Sequence, residues 1–131
     1  MATVSRSIDI EEAVRSVLAD SLTCYCAPLP ANFATPSILV TQTGGSSEST
    51  NTGKGKVDTF AVVLDARADL EETALEYLRN AVAILESSRG SGISHTEINS
   101  LYSWGTDPVR PDLAMCSATL LVTAHRETVT I

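Results

Sequence analysis

Residues 37–64 read SILVTQTGGSSESTNTGKGKVDTFAVVL, and the fold turns on how this stretch divides. Two strand-like runs, Ser37 to Thr41 and Val57 to Leu64, flank a tract, Thr43 to Lys56, that holds no apolar side chain. In the second run Phe60, Val62 and Leu64 point one way while Ala61 and Val63 point the other. Apolar residues on both faces mark a strand in the middle of a sheet. The tract carries four of the chain's seven glycines and both of its lysines, Lys54 and Lys56. That composition predicts a long flexible inter-strand loop over 43–56. Connections of this length are uncommon in compact domains and usually have a function. No side chain in the tract is equipped for catalysis, so it points to contact with something large.

Upstream, Asp9-Ile10-Glu11-Glu12 opens a helix. The Asp9 carboxylate is placed to accept from the free amides of the first turn, and Glu12 to reach back. Ile10, Val14, Val17 and Leu18 follow at helical spacing, with Leu22 extending the stripe. Cys24-Tyr25-Cys26 reads as a short extended piece, and Pro28-Leu29-Pro30-Ala31-Asn32 as a connector. Downstream, Asp69-Leu70-Glu71-Glu72 opens a second helix. Its apolar stripe is Leu70, Ala74, Leu75, Leu78, Val82 and Leu85, and Arg89-Gly90 ends it. At about 20 residues it would span about 30 Å, enough to cross a sheet. Ile93 to Trp104 reads as an irregular strand, and Thr106 to Asp112 as a turn-rich loop. Met115 to Ala124 is the last strand, with Cys116, Ala118, Leu120, Val122 and Ala124 on one side. The order α-β-β-β-α-β-β predicts a single α+β domain over 1–131. Its sheet is mixed or antiparallel, with about four to five strands, an N-terminal helix and a long helix packed on one face.

A chain of 131 residues is long enough to bury one core. An apolar fraction of 44% and a charged fraction of 19% are those of a globular protein. The net charge of −7 argues against non-specific binding to nucleic acid or anionic lipid, both of which need basic surface. No segment approaches the about 18 apolar residues of a membrane span. Asp9, Glu11 and Glu12 interrupt any secretory hydrophobic region after Arg6, so folding in the cytoplasm is expected. Three cysteines make no disulfide framework.

The chemical motifs are weak. Lys54 follows a Gly/Ser-rich tract, but Gly55 stands where a phosphate-binding loop needs Ser or Thr, and the tract runs into a strand instead of a helix. Cys24, Cys26, Cys116, His95 and His125 lack the Cys-x(2–4)-Cys pairing of a structural zinc site, and Cys116 alternates with core residues. No Ser or Cys sits in the Gly-x-Ser-x-Gly spacing of a nucleophile elbow, and His95 and His125 read as surface or edge histidines. Glu71, Glu72 and Glu76 form the wet face of a helix. No catalytic residue, cofactor or metal is expected. Asp107-Pro108-Val109-Arg110-Pro111-Asp112 sets alternating charges between prolines, which predicts an exposed rim for a partner. Lys54, Lys56, Asp107, Arg110 and Asp112 are therefore the candidate contact residues.

In this order of elements the chain resembles the tail terminator and head–tail joining proteins of long-tailed bacteriophages. The resemblance runs from the N-terminal helix through Pro28 and Pro30 to Thr41-Gln42-Thr43-Gly44-Gly45. It continues through Asp58 to Ala66, the Ala-rich helix Thr73 to Leu85, and a hairpin from Trp104-Gly105-Thr106-Asp107-Pro108 to Leu120 through Arg126. The chain departs from that pattern in a longer Gly/Ser tract and in lacking a glycine in the loop before its last strand. The resemblance implies a structural virion protein without enzymatic activity. It would form a homo-oligomeric ring, in the family usually a hexamer, that caps the tail tube protein and meets the head connector or stopper, with DNA passing through unbound. Expected locations are the host cytoplasm before assembly and the head-proximal tail of the virion afterwards. A tail tube or stopper role on the same fold, or a small-molecule-binding α+β domain, are the alternatives. Strand edges and long loops supply ring contacts, and an acidic lining repels phosphate.

Overall fold

A computed structural model of the chain describes residues 1–49, 56–88 and 90–131. Within it lie β1 (Thr3–Arg6), α1 (Ile10–Leu18), β2 (Cys24–Cys26), β3 (Ser37–Ser49), β4 (Lys56–Ala68), α2 (Glu71–Ser87), β5 (Ile93–Thr106), β6 (Ala114–His125) and β7 (Glu127–Thr130). Five strands form one mixed sheet in the order β2-β3-β4-β6-β5, and β1 pairs with β7 in a separate ribbon. Among the described strands only the β2–β3 pair is parallel. The fold is α+β, and β4 is its middle strand, as alternating apolar residues on both faces predict.

Both helices cover the same face of the sheet. Under them lie Ile38 and Val40 of β3, Phe60, Val62, Leu64 and Ala66 of β4, and Cys116, Ala118, Leu120, Val122 and Ala124 of β6, all buried. The helices answer with Ile10, Val14, Leu18, Leu78, Val82 and Leu85. Burying each large aliphatic side chain contributes about 1.5–3 kcal/mol, so this layer carries most of the driving force for folding. The opposite face carries half-buried Leu39, Ala61, Val63, Leu121 and Met115 among polar groups. There Ser117 donates to Asp65, and Thr59 and Thr123 share a hydrogen bond at 3.1 Å.

Local structure corrects the sequence reading at several points. The tract expected as a loop over 43–56 is strand up to Ser49 and again from Lys56, with Ser49 opposite Lys56 in an antiparallel hairpin. Strand preference depends on context: β4 is held along its length by β6, and its open edge pairs even Gly and Ser. A register shift between Gln42 and Gly44 absorbs the irregularity. At α1, Asp9 does accept from the Glu12 amide, but the Glu12 carboxylate turns to Arg15 instead of reaching back, so only half of the expected cap forms. At α2 the cap is Leu70, with no side-chain bond, and the helix ends at Ser87 with an extended Ser88. Gly90 does not cap it. The left-handed glycine is Gly92 (φ +85°), in the turn that enters β5. Its 17 residues give a helix of about 26 Å. The β1–β7 ribbon was not anticipated, since each strand carries a single apolar residue, Val4 or Val129, and these two pair with each other.

Candidate interaction surfaces

The loop after β5 is exposed from Pro108 to Asp112, but Asp107 is not part of that rim. Asp107 is buried, 3% exposed, and its Oδ2 accepts from Arg67 Nε at 2.6 Å. Its Oδ1 accepts from the amides of Val109 at 2.8 Å and Arg110 at 2.9 Å, which closes the turn. Burial alone would push the Asp107 carboxyl up, but the two amide bonds and the Arg67 guanidinium together hold it below the ordinary carboxylate range. Asp107 is thus a structural anchor and not the partner contact expected of it. Arg110 and Asp112 do lie on the surface, paired with each other at 3.0 Å. Lys54 lies outside the described residues, and Lys56 is described only as the first backbone position of β4.

Between the connector that follows β2 and this loop lies a cleft of about 300 Å³. Leu29, Pro30, Ala31 and Phe33 line it from the connector, and Pro108, Val109 and Arg110 from the loop. Arg67 and Asp107 meet there. Val109 is 83% exposed, an uncovered apolar side chain at the rim. The Nη1 of Arg67 is buried and has no hydrogen-bond partner. No sequence signal marks this cleft, because its two walls are about 75 positions apart along the chain and only the sheet brings them together.

A second, polar depression of about 310 Å³ lies near the other end of β4, lined by Ser7, Gln42, Ser46, Ser47, Asp58 and Arg126 among others. Asp58 is its centre. Ser7 Oγ donates to it at 2.7 Å and Arg126 Nε at 3.2 Å, while Arg126 Nη2 donates to Ser47 at 3.2 Å. Ser7 follows β1 and Arg126 precedes β7, so one buried carboxylate pins both roots of the terminal ribbon to the sheet. Burial would raise the Asp58 pKa, but the hydroxyl donors and Arg126 outweigh it and bring it below the usual range.

Both sides of the five-stranded sheet have open edges among the described residues. β5 ends the sheet on one side, and on the other β2 pairs only with Ile38–Val40, which leaves β3 beyond Val40 without a second neighbour among the described residues. The Glu11 carboxylate covers one edge group, the Gln42 amide, at 2.9 Å. β5 carries exposed Leu101 and Trp104. His95 and His125 are exposed near neighbouring positions of the uncovered face and gather no further ligands. Among the described residues no three His, Cys, Asp or Glu side chains cluster as a metal site. Burial, followed by Glu12, pushes the Cys26 thiol up to about 11, and burial raises Cys24 and Cys116, so none is a thiolate at neutral pH. No described helix is long and apolar enough to cross a membrane. No protein-family model matches the chain, and no curated protein does so significantly.

Proposed function

We propose that this chain is a structural virion protein, a ring that terminates a phage tail tube and meets the head connector. The observation that carries this reading is the pair of unlike open surfaces on opposite sides of one sheet. One is the uncovered polar edge of β3, and the other is the irregular β5 edge with its exposed Leu101 and Trp104. A monomer that works alone covers or charges such edges. Unlike surfaces on opposite sides make head-to-tail contacts, and these close into a ring when the rotation per copy divides a full turn. The family resemblance of the whole element order supplies the setting, and the net charge of −7 suits a wall that DNA passes without adhering.

Mass photometry and negative-stain imaging of the purified chain test the proposal. Discrete rings are expected. Extended tubes would assign the same fold to the tube instead, and a chain that stays monomeric up to millimolar concentration would overturn the reading.

A further inference from the structure

The open edge of β3 carries an inference about which part of a neighbouring copy completes it, and it rests on the ring reading above. Beyond the slip between Gln42 and Gly44, the ladder of β3 with β4 runs unbroken from Gly44 to Ser49. No strand lies on its other side among the described residues. A row of unpaired backbone donors and acceptors is matched by another extended strand. At the start of this edge the Gln42 amide already takes a substitute acceptor, the Glu11 carboxylate, which forms no ion pair among the described residues. Beside the edge lies the depression of about 310 Å³, bordered by Gly44 and Gly45, which bring no side chain, and by Phe60.

The same molecule displays an arm that lacks a neighbour. β1 and β7 pair with each other and pack substantially against no other described element. A two-stranded ribbon is marginal until a third strand joins it. The other free edges of the chain do not serve: β5 slips at three places and β2 is three residues long, so neither extends an unbroken ladder. Of the two ribbon strands, β7 (Glu-Thr-Val-Thr) brings no cation to Glu11, whereas β1 (Thr-Val-Ser-Arg) does. Arg6 holds Glu127 through Nε in an exposed pair, which leaves its other nitrogens for a second carboxylate. We infer that β1 of a second copy joins the β3 edge antiparallel, with Arg6 at the Gly45 end and Thr3 at the Glu48 end. Val4 and Arg6, two positions apart, share one face of β1. Turned toward α1, Val4 enters the depression and Arg6 reaches Glu11. Edge and arm are different surfaces, so the contact is heterologous and propagates around a ring.

A photo-crosslinking side chain at the exposed Ser5 of the full chain tests this, in particles assembled from isotopically light and heavy copies. Crosslinks from position 5 to residues 44–48 of another copy are expected. Arg6→Glu combined with Glu127→Arg keeps the ribbon's own pair with its signs reversed. That variant is expected to weaken assembly about threefold or more at low salt, and added Glu11→Lys to restore it. Rings that crosslink elsewhere, or that ignore the reversal, would overturn this contact and leave the ring intact. The expected crosslinks in closed pairs of copies would uphold the contact and overturn the ring. A chain that stays monomeric up to millimolar concentration would overturn both.

Discussion

The Arg67 guanidinium and the Asp107 carboxylate meet at 2.6 Å with both side chains buried, which fastens the middle strand of the sheet to the loop that leaves its outermost strand. The two partners are unequal. Asp107 keeps two amide donors if Arg67 is lost, whereas among the described residues Arg67 has no other charge partner. Asp107→Ala is therefore expected to cost about 3–5 kcal/mol, as for a buried charge left alone. Arg67→Met is expected to cost clearly less. Guanidinium unfolding of the two variants would check the order, and equal losses would contradict it.

The terminal ribbon depends on Asp58 in a comparable way. A two-stranded ribbon is marginal by itself, and this one is anchored by bonds from Ser7 and Arg126 to a single carboxylate. Asp58→Ala is expected to speed amide exchange across 3–6 and 127–130 while β4 and β6 stay protected. The stability loss should be about 1–3 kcal/mol, that of unsatisfied buried partners. Uniform exchange across all strands would mean that the ribbon has no separate anchor.

Acid should act through the same two carboxylates. Both have folded pKa values below the ordinary one, so their stabilisation is fully present above about pH 4 and disappears as pH falls through the lower folded values. Urea midpoints are expected to hold between pH 7 and pH 5 and to drop below pH 4. The drop should be shallower in Asp58→Asn than in the parent chain.

Cys26 should react slowly for a thiol that is only partly buried. With its pKa pushed up to about 11, almost none is thiolate at pH 8. Alkylation by iodoacetamide is expected to be at least tenfold slower than for a free thiol, and Glu12→Gln should speed it.

Two strand glycines separate close packing from mere presence. A Cβ on Gly45 would lie 3.0 Å from the Thr59 carbonyl oxygen, which is backbone and part of the ladder. A Cβ on Gly105 would lie 2.9 Å from Met115 Cε, the free end of a flexible side chain. Gly45→Ala is expected to destabilise by about 1 kcal/mol or more, and Gly105→Ala to be neutral. Thermal melts would rank them.

Much of the architecture was legible because alternation leaves a clear trace. Phe60, Val62 and Leu64 against Ala61 and Val63 place β4 in the middle, and the five alternating residues of β6 reveal its buried face. The irregularity of β5 was visible in its mixed polarity. The tail of β3 was not, because Gly-Gly-Ser-Ser has no strand preference and pairs only since β4 offers a ready ladder. The ribbon was hidden for the same reason, one valine per strand being no pattern. The cleft escaped because Arg67 lies beyond the run read as a strand, which stops at Leu64, and because Asp107 reads as part of a charged turn. Only their contact across the sheet shows that one is unsatisfied and the other is not free.

The sheet concentrates its irregularity at the rim: the register of β4 and β6 is continuous, while β5 slips at three places along its length. A single-residue insertion in β6 would exchange Leu120 and Val122 for Thr119 and Leu121 at the core, whereas the same insertion in β5 adds one more outward kink. Lengthening or shortening of this polypeptide is therefore tolerated along its outer border, which can be reshaped to suit a new neighbour while the interior keeps its fit.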